Sequence, residues 1–261
     1  MWRQLLITDA DNTLWDTDQI YAKAQLKLLS DLEAVIGVMA KEDDRLEVVR
    51  RVDQAIAAQH PMRLNYPAEV LVDALTACLV GTEVHAAVDT VLRADSVATG
   101  LCLSSAQRQL LAATFLAQIR EQKPLLRSGV RETLWKLKEL AIPVVILSEG
   151  VEDRVLSIVR FHALESAISH MVFQRKTAET YKAIAVDSQV ELSSVFVVGD
   201  QIDCDVAVPR SIGCHTIFFP CGFKPFWTAT HDVEPDFKIS DYRQVFEILL
   251  EQRPTEAVPS L

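Results

Sequence analysis

Asp9 and Asp11 stand two residues apart, with Thr13 two further on; Ser148 closes an apolar run, Lys176 follows another, and Gly199-Asp200 and Asp205 follow a third. Carboxylates this close repel one another and any anionic substrate, so a divalent cation is expected among them, and oxygen-only ligands favour Mg²⁺. A carboxylate can attack phosphorus and divide a hydrolysis into two easier steps. A second acid beside it can give a proton to a leaving oxygen and later take one from water. A hydroxyl and an ammonium group are fixed donors for charge spread over transferring phosphoryl oxygens. Asp and Ser after strands also serve as ordinary turn and N-cap residues. Two acids abutting a buried strand, however, cost stability unless a counter-charge is present.

These side chains need elements that bring them to one place. Leu5–Thr8 is a short apolar run stopping abruptly at the acids, as a buried strand does at a polar loop. From residue 16 to 121 the pattern is helical instead: residues 21–36, 45–58, 67–80, 85–92 and 105–119 carry apolar residues three and four apart. After Pro124 strands and helices alternate: helix 129–140, strand 143–147, helix 151–160, strand 171–173, helix 178–186, strand 195–198, helix 206–211 and strand 216–219. A further strand over 236–239 and a helix over 242–250 close the pattern. Such alternation implies right-handed βαβ units and a parallel sheet, whose ligands bind outside the carboxyl ends of the strands. The chemistry-bearing residues all fall at such ends. The expected organisation is an α/β domain of residues 1–15 and 122–261, interrupted by a helical domain of residues 16–121 placed to act as a lid.

Composition narrows the partners. The 261 residues are 49% apolar and 24% charged, with 8 Gly and 10 Pro, which excludes collagen-like, coiled-coil and low-complexity chains. A net charge of -10 gives the long-range field the wrong sign for a nucleic-acid polymer or an anionic membrane, but leaves room for a small anion held by a local cation or metal. No apolar stretch has signal or membrane-span length. The five cysteines are scattered and include no CxxC pair, so they read as small packing residues in a reducing, cytoplasmic setting. His60, His85, His162, His170, His215 and His231 show no ligand spacing.

The pattern resembles the haloacid dehalogenase (HAD) superfamily of phosphohydrolases. Asp9-Ala10-Asp11-Asn12-Thr13 matches its DxDx[TV] motif, Ser148 the Ser or Thr closing a hydrophobic strand, Lys176 the Lys ahead of a helix, and Gly199-Asp200 with Asp205 the GDxxxxD motif. The segment from Pro124 to Lys138 fits as well, and the helical insert resembles the family's C1 cap. The resemblance implies a Rossmannoid parallel sheet flanked by helices with an all-helical cap. It implies Asp9 as nucleophile and Asp11 as acid and base. Ser148, Lys176 and Thr13 would bind phosphate, and Asp9, Asp200 and the backbone carbonyl of Asp11 would bind Mg²⁺. Asp205 would orient Lys176 or a metal-bound water. The implied partner is a small phosphorylated metabolite, such as a sugar phosphate, phosphoglycolate or a nucleotide, acted on by a monomer or homodimer.

Two positions depart from the family pattern. Thr177 follows Lys176 where many relatives have Pro, and Lys182 is a rival for the motif's cation. Glu149 follows Ser148 where many relatives have Asn or Ser, and a carboxylate there is expected to disfavour a second anionic group on the substrate. Trp15, Tyr21, Arg63, Asn65 and Tyr66 are candidates to face the leaving group, and Asp203 a candidate helix cap. Asp11 argues against the dehalogenase branch, which needs no acid there to protonate a halide. A phosphomutase of the β-phosphoglucomutase type would use the same residues. A non-enzymatic binding protein on the scaffold would have no use for Asp11.

Overall fold

The computed structural model describes residues 4–63, 66–93, 102–223 and 233–252; Asn65 and His231 lie outside them. Contacts divide the described residues into an α/β unit (4–17, 124–223 and 233–252) and a helical unit (18–63, 66–93 and 102–123). The chain opens with β1 (Leu5–Thr8), every residue of which is buried. It then runs through α1 (Thr17–Ile36), α2 (Arg45–Gln59), α3 (Ala68–Leu79), α4 (Val84–Arg93) and α5 (Ser105–Glu121). Polar caps start two of these helices: the Asp44 side chain accepts from Glu47 N, and Ser104 and Gln107 form a reciprocal capping box. Their apolar faces close a separate core that includes Leu28, Leu32, Val52, Ile56, Leu75 and Phe115.

Among the described residues, the buried acids Glu33 and Asp73 and the half-buried Asp53 of the helical unit each face a donor. Glu33 accepts from Arg45 at 2.9 and 2.6 Å and from Ala40 N at 2.9 Å. Asp73 faces Arg108 at 2.8 Å. Asp53 accepts from Gln25 at 3.0 Å and from the Tyr66 hydroxyl.

Beyond this unit the chain alternates through α6 (Val130–Glu139), β2 (Val144–Ser148), α7 (Glu152–Phe161), β3 (His170–Phe173), α8 (Ala178–Asp187), β4 (Val195–Gly199), α9 (Val208–Ser211), β5 (His215–Phe218), β6 (Phe237–Lys238) and α10 (Arg243–Glu251). The strands form a parallel sheet in the order β3-β2-β1-β4-β5-β6. Side chains alternate across it, as the two-residue period of a strand requires. Leu6, Ile146, Phe196 and Ile217 pack on one face, and Leu5, Ile7, Val145, Leu147 and Val197 on the other. Both faces are covered, which is why the strands read as continuous apolar runs.

The chain winds outward from β1 in both directions, so the strand order reverses between β1 and β4. A crevice opens at the carboxyl ends of such a pair. Asp9 and Asp200 stand there.

Two elements differ from expectation. The helix expected over 206–211 is a π-helical turn over Ile202–Ala207 followed by the short α9. Pro209 has no N–H to donate, so regular α-helical bonding cannot run through it. The strand expected over 236–239 pairs through only Phe237 and Lys238.

Candidate active site

Asp9 leaves β1 with its backbone N–H still bonded to Val198 O at 2.9 Å, so the end of the sheet fixes where its side chain starts. Lys176, delivered by the loop after β3, reaches the same place: its Nζ lies 2.6 Å from Asp9 Oδ1 and 2.7 Å from Asp205 Oδ1. Asp200 follows the last residue of β4, and Asp205 sits on the π-helical turn. Asp205 packs directly over Gly199. A Cβ at Gly199 would lie 2.2 Å from the Asp205 carboxyl carbon, so only glycine admits the carboxylate there.

Asp9, Asp200, Asp205 and Lys176 are all buried. Burial, reinforced by Asp205 and Asp200 and opposed by Lys176, raises the Asp9 carboxyl well above the ordinary aspartate range. Burial and the neighbouring Asp205 push Asp200 up to about 6. Burial works against the Lys176 ammonium too, but the carboxylates of Asp205 and Asp9 outweigh it and hold the lysine well above its usual value.

Among the described residues, Lys176 is thus the cation bonded directly within this group of three acids. Oxygens of Asp9, Asp200 and Asp205 lie within 4.8 Å of one another, and Asp200 Oδ1 is buried with no donor among the described residues. All the donors are hard oxygens and the charge is in excess, which fits a small divalent cation such as Mg²⁺. The Asp11 side chain is not part of this cluster, and Asp205 is occupied by Lys176.

The Asp11 carboxylate turns to other partners. Its Oδ1 accepts from Trp15 Nε1 at 3.0 Å and from the Thr17 hydroxyl, and lies 3.5 Å from Arg154 Nη1. Its Oδ2 lies near Gly150, where an added Cβ would meet it at 3.0 Å and Ser148 Oγ at 3.1 Å. Asp11 and Ser148 therefore flank one small space. Ser148 is buried at the end of β2, and its Oγ accepts from Gly150 N at 3.0 Å. Thr13 is fully buried, and its hydroxyl finds no partner among the described residues.

Other expectations resolve differently. Trp15 is fully buried with its indole N–H on Asp11, so it supports the acid and offers no surface to a leaving group. The Glu149 carboxylate accepts from the backbone N–H of Lys176 at 3.0 Å. Lys182 is exposed on α8, leaving Lys176 as the cation at the acids. Thr177 caps α8 by accepting from Thr180 N at 3.3 Å. Asp203 lies half-buried on the π-helical turn and caps nothing among the described contacts. Tyr21 and Arg63 are exposed in the helical unit, while the Tyr66 hydroxyl is held by Asp53. His162 bonds Pro124 O at 2.8 Å.

Sequence reasoning missed Arg127, Arg154 and Cys221. Arg127 donates to the carbonyls of Asn12 at 2.5 Å, Phe219 at 3.1 Å and Pro220 at 2.7 Å, and lies over the Phe219 ring at 3.3 Å. It ties the acidic loop, where Asn12 has φ of 60°, to the end of β5. The Cys221 thiol donates to Asp200 Oδ2 at 3.1 Å. No local spacing signals these contacts, because each partner comes from a different strand end.

No family model and no curated protein sequence matches the chain. Solved structures do. The magnesium-bound YfnB from Bacillus subtilis, classed as a HAD-hydrolase, is 16% identical with a TM-score of 0.63, and the match covers 96% of this chain and 100% of that one. The fold is that of the haloacid dehalogenase superfamily. A predicted phosphoglycolate phosphatase from Haemophilus somnus 129pt superposes with a TM-score of 0.59 at 14% identity, over 94% of this chain and 97% of the other. A 2-haloacid dehalogenase from Pseudomonas syringae pv. Tomato matches with a TM-score of 0.53 at 20% identity, over 97% and 100%. The stretches read as HAD motifs stand at the carboxyl ends of β1, β2, β3 and β4 of this HAD fold. No described helix is long and apolar enough to cross a membrane.

Proposed function

We propose that the protein is a Mg²⁺-dependent phosphatase that hydrolyses a small phosphomonoester through an aspartyl-phosphate on Asp9. The observation that carries this reading is Lys176 Nζ bridging Asp9 and Asp205 while Asp200 Oδ1, buried alongside, has no donor among the described residues. That arrangement holds a nucleophile, one cation and a surplus of negative charge at the switch point of a HAD sheet. Its structural neighbours include a magnesium-bound protein and a predicted phosphoglycolate phosphatase.

Asp9 and Asp200, with the backbone carbonyl of Asp11, would hold Mg²⁺; the ion would supply charge neutralisation that lets an anionic phosphate approach these acids. The buried carboxylate of Asp9 attacks phosphorus; a P–O bond forms to it as the bond to the leaving oxygen breaks. Asp11 gives its proton to that oxygen. Water then attacks the same phosphorus, Asp11 takes its proton, the bond to Asp9 breaks, and phosphate leaves. The Lys176 ammonium and Ser148 hydroxyl hold the equatorial oxygens in both steps. The Thr13 hydroxyl of the same loop is buried with no partner among the described residues.

The helical unit is the candidate cap, and substrate choice is assigned to it. Asp11 favours phosphatase over dehalogenase chemistry because a halide needs no proton to leave. The test is hydrolysis of p-nitrophenyl phosphate with and without Mg²⁺ by the unmodified protein and by Asp9→Asn. Turnover should require the metal and vanish in the variant. Metal-independent turnover, or an active Asp9→Asn, overturns the reading.

A further inference from the structure

The two positions that depart from the HAD pattern, Glu149 and Thr177, flank the same backbone group. Among the described residues Lys176 is the cation paired directly with Asp9 and Asp205, so its placement decides how charge is shared in the site. The lysine head is fixed by Asp9 and Asp205. Its backbone lies in the loop between β3 and α8, outside the sheet ladder, where something else must hold it.

On one side, Thr177 takes an extended conformation, with φ of −103°, and its hydroxyl accepts from Thr180 N at the start of α8. A proline after Lys176 would restrict the preceding residue to extended backbone by steric clash alone; threonine imposes no such restriction. On the other side, Glu149 Oε1 accepts the Lys176 N–H at 3.0 Å, across 27 positions of sequence, from the loop at the end of β2. A side-chain oxygen accepting from a backbone N–H supplies the loop with the partner that the sheet ladder does not.

We propose that Glu149 is a positioning residue: it holds the backbone of Lys176, and through it the ammonium, where Asp9 and the transferring phosphoryl group need it. This replaces the expectation that its carboxylate selects against acidic substrates, and it rests on the phosphatase reading for its catalytic consequence but not for its structural one. Lys176 meets a phosphoryl group most strongly when charge develops in transfer, so loosening its anchor lowers kcat more than it raises KM.

The test compares Glu149→Ala with Glu149→Gln, which keeps a carbonyl acceptor in the same place. Backbone amide hydrogen exchange at Lys176 should speed up at least tenfold in Glu149→Ala and stay near the unmodified rate in Glu149→Gln. With p-nitrophenyl phosphate, kcat should fall about tenfold in Glu149→Ala with KM changed less than twofold, and Glu149→Gln should retain at least half the activity. Equal losses in both variants would mean that the charge matters and the acceptor does not, which overturns the proposal. Unchanged exchange in Glu149→Ala also overturns it. If exchange responds as expected but no phosphatase activity exists in any form, the positioning role stands and the phosphatase reading is what fails.

Discussion

The two units bury acids in opposite ways. In the helical unit each has donors to match: Glu33 has Arg45 and a backbone N–H, Asp73 has Arg108, and Asp53 has Gln25 and Tyr66. In the α/β unit Asp9, Asp200 and Asp205 crowd round a single ammonium, and Asp200 keeps an oxygen with no donor. A matched acid stabilises the fold that holds it. An unmatched one destabilises its fold until a ligand arrives, which is how binding sites trade stability for function. Charge balance among buried groups therefore separates the architectural acids of this chain from its candidate chemical ones.

Removing the one cation should widen the contrast most. Lys176→Met is expected to lower phosphatase turnover about 10³-fold, measured with p-nitrophenyl phosphate at saturating Mg²⁺, because a preorganised positive donor is lost from the transferring group. A loss of less than tenfold would mean that Lys176 only balances charge. In the helical unit the corresponding change is Arg45→Ala. It should cost about 2 kcal/mol in urea unfolding by stripping Glu33 of its partner, and leave turnover of the surviving folded protein within twofold. A turnover defect larger than the stability defect would remove the distinction between the two sets.

The smallest effect is also the most diagnostic, because Glu33 and Asp200 should respond to pH with opposite signs. Arg45 hydrogen bonding, aided by Ala40 N–H and opposed by burial, depresses the Glu33 carboxyl. Its contribution is present above the ordinary glutamate value of 4.5 and is lost as pH falls through the depressed folded value. The Asp200 carboxyl is raised to about 6, so its contribution is complete below the ordinary aspartate value of 3.8 and is lost as pH rises through about 6. Metal-free protein should therefore melt about 5 °C lower at pH 7.5 than at pH 5, and Mg²⁺ should remove most of that difference. An equal effect of Mg²⁺ at both pH values would place its binding away from Asp200.

Much of this arrangement is legible in the residues. Leu5–Thr8 and Val195–Gly199 are apolar because both sheet faces are covered, and each stops at the acid it delivers. The alternation after Pro124 gives the parallel sheet, and the three- and four-residue spacing gives the helices of the other unit. The π-helical turn was not legible, since the local spacing reads as an ordinary helix and the Asp205 carboxylate meets Gly199 only once β4 is in place. Trp15 reads as a candidate to face the leaving group until its indole is seen on Asp11. Glu149, Arg127 and Arg154 act on partners 27, 115 and 143 positions away, counting Arg154 to Asp11. Their types were visible and their partners were not.

The central claim, that the acids of the α/β unit are unmatched because they await a cation, is tested most directly by the melting temperature of Asp200→Asn against the unmodified protein, each with and without Mg²⁺. Neutralising Asp200 should raise the melting temperature of the metal-free protein and abolish the shift that Mg²⁺ produces. A metal-free variant that melts lower, together with a Mg²⁺ shift that persists, would show that Asp200 is an architectural acid like Glu33.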